Sequence, residues 1–248
     1  TPGGFGNAES LMGEVLAATP GLRGRMVLAT KGGIKGAGVY DSSRAYLIAA
    51  CEASLKRLKT DVIDLYQVHR PDLLAPAEEV AAALEHLLAS GKVRFVGLSN
   101  YSPSRCLALQ AHLGVPLVSH QPEYSAWQLA PLKDGLLDQC QERRMACLAW
   151  SPLAGGRLAT GEAGDLPAPE QPRFAALVAV LDRLAAQYSA TRAQIALAFA
   201  LATPGPVIPI VGSQTPARIR EAAGAAAIRL ERQEWYDIYE ARTGTRMP

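Results

Sequence analysis

The chain has 248 residues, 49% of them hydrophobic and 19% charged, with a formal net charge of +2. That balance excludes a disordered polymer and leaves room for one α/β barrel or two smaller domains. Near-neutral charge, with no pure basic run longer than the two residues of Arg143-Arg144, gives no warrant for a nucleic-acid or membrane-surface partner.

Strand and helix signals alternate along the sequence. Residues 26–30 form a short apolar run, and a glycine-rich loop comes next over 32–38. Leu47, Ile48, Cys51, Leu55 and Leu58 fall on one face of a helix over 43–58. Residues 62–69 read as a strand whose alternation puts Ile63, Leu65, Gln67 and His69 on one face. Pro76 opens the next helix, Glu78 and Glu79 suit its first turn, and Gly91 ends it. A strand over 93–98 precedes a helix that Ser102-Pro103 starts and Gly114 stops. A short strand at 116–119, a helix over 132–143 and a strand at 146–150 come next.

The stretch 157–172 is rich in Gly, Pro and Glu and has no periodicity, so a long surface loop is expected there, mobile or serving as a lid. Thr191 and Gln194 form a capping box ahead of a helix over 195–202. A sixth strand at 207–211 leads to a helix opened by Thr215-Pro216. This alternation implies parallel strands joined by βαβ crossovers, and residues 1–248 read as one domain.

No apolar run approaches bilayer length, and nothing at the start reads as a signal peptide. Cys51, Cys106, Cys140 and Cys147 contain no CxxC pair and no histidine at metal spacing. They are expected to be reduced packing residues of a cytoplasmic protein without a metal site.

Each strand ends in a polar or glycine-rich junction. The junctions centre on Lys31-Gly32-Gly33, His69-Arg70-Pro71-Asp72, Ser99-Asn100, Gln121-Pro122-Glu123, Trp150-Ser151-Pro152 and Gly212-Ser213-Gln214-Thr215-Pro216. In a closed parallel barrel such loops gather on one rim, where active sites are built. Lys31 alone reads as a surface lysine, yet its ammonium can bias a neighbour's pKa as a guanidinium cannot. His69 alone reads as structural, yet at a rim it can hold a carbonyl oxygen. His86, His112 and His120 read as helix-surface or strand-flank residues. Ser99, Asn100 and Gln121 serve either turns or a bound carboxamide, and Trp150 either fills the core or stacks on a flat ring. Gly212 through Arg218 is the most legible binding segment, because a helix N-terminus with an arginine in its first turn suits phosphate. There is no GxGxxG after a strand and no Walker motif.

Taken together, these junctions resemble the aldo-keto reductases over essentially the whole chain. The resemblance rests on the run 54–61, on Ile63 through Asp72, on Gly91-Lys92-Val93-Arg94 leading to Ser99-Asn100, and on Ile208-Pro209 through Ser213. Trp150-Ser151 and Gly155-Gly156-Arg157 are most similar to the family's bacterial oxidoreductases. The resemblance implies an eight-stranded TIM-type α/β barrel, of which six strands are visible, that reduces aldehydes or ketones with NADPH. It assigns the catalytic lysine to Lys31 and the substrate-orienting histidine to His69. The carboxamide would fall to Ser99, Asn100 and Gln121, ring stacking to Trp150, and the pyrophosphate to Ser151, Leu153 and Arg157. In the last junction, running through Gly212 and Gln214, Ser213 and Arg218 would hold the 2′-phosphate, and Glu221 would contact the adenine.

Ala222 stands where the family usually has asparagine. The segment Gly3-Gly4-Phe5-Gly6-Asn7-Ala8-Glu9 matches the family's stretch just after its proton-donating tyrosine. That tyrosine, and an aspartate before it, are therefore expected upstream of Thr1. Two rival readings remain at this level: an NADPH-binding barrel with a sensor role and little turnover, and a barrel enzyme of phosphorylated sugars. Substrate identity, reaction direction and oligomeric state have no readable code.

Overall fold

The structure, a computed structural model, describes residues 6–36 and 38–247; Gly3, Gly4 and Phe5 of the N-terminal match lie outside them. The chain forms two compact units, Thr1–His120 and Gln121–Pro248.

In chain order the first unit holds α1 (Asn7–Ala18), β1 (Ala29–Gly32), β2 (Ile34–Gly36), β3 (Val39–Tyr40), α2 (Arg44–Leu58) and β4 (Ile63–Val68). It continues with α3 (Ala77–Ala89), β5 (Val93–Ser99), α4 (Pro103–Gln110) and the start of β6 (Ser119–Gln121). β1 runs parallel to β4 with Lys31 opposite Gln67, and β4 parallel to β5 with Gln67 opposite Gly97. The Val118 N–H donates to Val96 O at 3.0 Å and carries the pairing on toward β6.

β4 is buried along its whole length, and its two faces look into different layers. The Tyr66 hydroxyl reaches the helices and donates to Leu47 O at 3.2 Å. Gln67 faces the other way, its Nε2 donating to Leu98 O at 3.1 Å and to the Ser119 hydroxyl at 3.3 Å. Asp64 ties the opposite strand ends together, accepting from Arg23 at 2.7 Å, Arg94 at 2.7 Å and the Leu28 N–H at 2.8 Å. At the α1–α2 crossing a Cβ on Gly13 would lie 2.1 Å from Arg57 O, so glycine is what lets the two helices close.

The second unit holds α5 (Ala130–Lys133), α6 (Leu136–Arg143), β7 (Ala146–Ala149), α7 (Arg157–Thr160) and α8 (Gln171–Gln187). After these come α9 (Arg192–Leu201), β8 (Val207–Pro209), α10 (Pro216–Gly224) and α11 (Arg232–Thr243). β7 and β8 pair in parallel. Residues 122–124 run alongside Trp150, whose N–H donates to Pro122 O at 3.0 Å. α8 packs on α9 and α11, burying Phe174, Leu177, Leu181 and Leu184. Phe199 stacks on Trp235 at 4.8 Å, and Trp235 Nε1 donates to Phe199 O at 3.1 Å.

Several expected elements shift, each for a local reason. The strand expected at 116–119 begins at Ser119, because Leu117 gives its N–H to the Gln110 side chain at 2.9 Å. The single helix over 132–143 is two, broken at Gly135, where φ is 83° and the Asp134 side chain caps the Leu136 N–H at 2.9 Å. The glycine-rich loop after β1 contains the antiparallel hairpin β2–β3. The long loop over 157–172 is interrupted by α7 and by a 3-10 turn at Ala168–Glu170 that leads straight into α8. Among the described residues no helix is long and apolar enough to cross a membrane, and no His, Cys, Asp and Glu group is arranged to hold a metal ion.

Candidate active site

In the first unit the ends of β1, β4 and β5 bring Lys31, His69, Ser99 and Asn100 together. The His69 N–H donates to Gly32 O at 2.8 Å, which continues the β1–β4 ladder past the end of β4. Glycine at 32 is forced by packing, since a Cβ there would stand 1.9 Å from the Tyr66 hydroxyl oxygen.

The Lys31 ammonium is mostly buried, and among the described residues it has no ion pair. Burial lowers its pKa, and the Glu9 carboxylate opposes that shift. The oxygens of Glu9 are themselves held by Arg57 Nε at 2.6 Å and by the Thr30 hydroxyl. The His69 imidazole is pushed down to about 4, first by burial and then by the positive charges of Lys31 and Arg70. At neutral pH it is therefore an uncharged ring with one donor and one acceptor. A cation beside a neutral N–H donor suits stabilisation of negative charge forming on a carbonyl oxygen.

Asn100 adopts φ 59° and its Nδ2 donates to His69 O at 3.2 Å and to the Ser99 hydroxyl at 2.8 Å. Those bonds tie the ends of β4 and β5 together. His120, expected on a strand flank, is wholly buried, and its Nε2 accepts from the Tyr101 N–H at 3.2 Å. Local patterning misses this because β6 is only three residues long, too short for alternation to show a buried face.

In the second unit a cavity of about 650 Å³ is lined by Ser151, Leu153, Gly212, Ser213, Arg218 and Glu221. Arg218 has no ion-pair partner among the described residues. The Ser213 hydroxyl accepts from the Thr215 N–H at 3.1 Å and shapes the entry to α10. The Glu221 carboxylate accepts from the Thr191 hydroxyl at 2.6 Å.

Four other candidate residues in this unit do not line the cavity. Arg157 turns to Asp165 and to Ala154 O, Gln214 is exposed, Gln121 is buried in β6, and Trp150 is half-buried after β7. Thr191 and Arg192 do line it, although the sequence does not mark them as site residues. The capping box marks Thr191 as a helix start, yet nothing local shows what that start faces. Arg192 is neutralised by Asp182 at 2.6 and 2.8 Å, which leaves Arg218 as the cavity's unpaired cation.

The Aldo/keto reductase family profile matches residues 4–243. The chain belongs to the aldo-keto reductase family. This aldo-keto reductase is 46% identical over 245 residues to a 6-dehydroglucose reductase of Novosphingobium aromaticivorans, covering 99% of the chain and 78% of that protein. It is 38% identical over 253 residues to the oxidoreductase YdhF of Escherichia coli, covering 99% and 82%. Among solved structures, the glycerol dehydrogenase AKR11B4 of Gluconobacter oxydans superposes with TM-score 0.87 at 26% identity, covering 98% of this chain and 80% of that one. The fold class, α/β of the TIM-barrel type, and the activity class, carbonyl-reducing oxidoreductase, rest on these matches.

Proposed function

We propose that this aldo-keto reductase uses NADPH to reduce an aldehyde or ketone to the alcohol by direct hydride transfer. The observation that carries the cofactor reading is Arg218, an unpaired guanidinium lining a cavity at the start of α10. Arginine is disfavoured in the first turn of a helix unless an anion sits there. A Cβ on Gly156 or Gly212 would meet nothing within 4 Å, so the backbone at this cavity is open to a ligand.

That donor set fits a phosphorylated adenosine. Ser213 and Arg218 take the 2′-phosphate and Glu221 the adenine. Ser151 and Leu153 take the pyrophosphate, with Gly212 supplying backbone; Arg157 would join them only on leaving Asp165, and Gln214 stands outside the cavity. Within the first unit Ser99 and Asn100 suit a carboxamide such as that of nicotinamide; within the second, Gln121 suits a carboxamide and Trp150 a flat ring. When bound, NADPH supplies the hydride. His69, uncharged at neutral pH, donates a hydrogen bond to the carbonyl oxygen and orients it. Lys31 keeps a positive charge beside the proton-donating group and favours release of its proton. A polyhydroxylated aldehyde is the first substrate class to assay, given the 46% identity to a 6-dehydroglucose reductase. The four free, buried cysteines suit a reducing compartment, and we place the enzyme in the cytoplasm.

The test is a titration of the full-length gene product and its Arg218→Gln variant with NADPH and NADH. Loss of one charge-assisted phosphate contact is expected to weaken NADPH binding about 10- to 100-fold and leave NADH within about twofold. Equal wild-type affinity for the two cofactors would overturn the reading, as would an unchanged NADPH affinity in the variant. Turnover of a carbonyl panel separates the enzyme from an NADPH-binding barrel with a regulatory role.

A further inference from the structure

We propose that the second unit carries another anion site, distinct from the cofactor cavity, for a small molecule bearing two or more phosphate or carboxylate groups. A cavity of about 620 Å³ is bordered by Lys133, Arg173, Arg242 and Arg246, and no acidic side chain lines it. It shares no lining residue with the cavity around Arg218. The four cations reach it from α5, α8, α11 and the segment after α11, so tertiary folding gathers them. Among the described residues none of the four forms an ion pair.

Aromatic rings and backbone hold these groups in place of carboxylates. Arg242 Nε donates to Trp127 O at 2.6 Å, and its guanidinium carbon lies 3.7 Å from the centroid of the Trp127 ring. Its terminal amino groups have no partner among the described residues. The Lys133 ammonium lies 5.7 Å from the centroid of the Tyr239 ring. Arg173 passes Gly244 so closely that a Cβ there would lie 3.3 Å from its Nε, in a backbone of φ 70° that itself favours glycine. Burial lowers the pKa of Arg242; Glu170, which does not line the cavity, opposes that shift, and the charge of Arg173 adds a smaller lowering.

Like charges gathered around a cavity that no acidic side chain lines repel one another, and a bound anion lowers that cost. Guanidinium forks bind phosphate or carboxylate oxygens in pairs, and cation–π contacts orient a charge without neutralising it. A volume near 620 Å³ is that of a small-molecule pocket.

Calorimetric titration of the full-length protein tests the site, with pyrophosphate in one arm and citrate in the other. Saturable binding that weakens with added salt and persists in Arg218→Gln is expected in at least one arm, and the tighter arm names the ligand class. Arg173→Gln and Arg246→Gln alter exposed side chains and relieve like-charge repulsion, so their melting temperatures without anion should equal or slightly exceed wild type. Each should weaken binding about tenfold, whereas Arg218→Gln should leave it unchanged. No binding of either probe at millimolar concentration would overturn the proposal. So would binding that Arg218→Gln abolishes and the other two variants do not touch.

Discussion

Gly32→Ala tests whether the Tyr66 hydroxyl sets the spacing beneath Lys31. A Cβ on Gly32 would stand 1.9 Å from that oxygen and 2.9 Å from Cζ of the same ring, whereas carbon contacts are comfortable from about 3.5 Å. Tyr66 is 0% exposed and its hydroxyl is bonded to Leu47 O at 3.2 Å, so the ring has no free space to move into. Gly32→Ala alone is therefore expected to cost about 2–3 kcal/mol through over-packing. Tyr66→Phe alone removes one buried hydrogen bond, a loss of about 1 kcal/mol. In the double variant the contact at 1.9 Å is gone and the one at 2.9 Å remains. Its cost should thus fall below the sum of the single costs by about 1–2 kcal/mol. Urea unfolding of the four proteins measures the coupling. Strictly additive costs would refute the argument, and so would a Gly32→Ala protein as stable as wild type.

Lys31→Met should lower turnover by about a hundredfold or more, within the range of general acid–base contributions, while NADPH affinity changes little. Steady-state kinetics beside a binding titration read both, and unchanged turnover would remove Lys31 from the mechanism. Burial holds His120 down to about 4 from an ordinary 6.5. Above pH 6.5 the ring is neutral in both folded and unfolded chains. As pH falls from there toward 4, the unfolded chain takes up a proton that the folded chain refuses, and stability is lost. The shift is worth up to about 3 kcal/mol. His120→Gln keeps an acceptor for the Tyr101 N–H and removes the titration. Denaturant melts at pH 7 and pH 4 should show a smaller acid loss in that variant, and an identical loss in both proteins would contradict the burial argument.

The local devices are legible because each is written within a few residues. The Ser102 hydroxyl caps α4 through the Arg105 N–H, and Thr191 with Gln194 closes both halves of the box at α9. Gly135 shows the limit of such reading: the apolar spacing continues across it, yet the left-handed backbone there splits the helix. In α8, Phe174, Leu177, Leu181 and Leu184 stand at helical spacing, but the loop-like composition of the residues just before it masks the helix start.

For the candidate site, sequence alone reveals which side chains stand at strand ends. Lys31, His69, Ser99 and Asn100 are found that way, as are Ser213 and Arg218 at a helix start, and their order carries the family resemblance. Which charges are neutralised depends on the folded chain. Glu9 meets Arg57 across 48 residues, Arg157 is drawn to Asp165 and away from the cavity, and Arg192 is paired where Arg218 is not. Folding also buries His120 and gathers four cations around a cavity that no run of sequence announces. The physical reason is range: caps and periodicity depend on neighbours within a turn or two, whereas burial and ion pairing depend on groups that only the folded chain brings within a few ångströms.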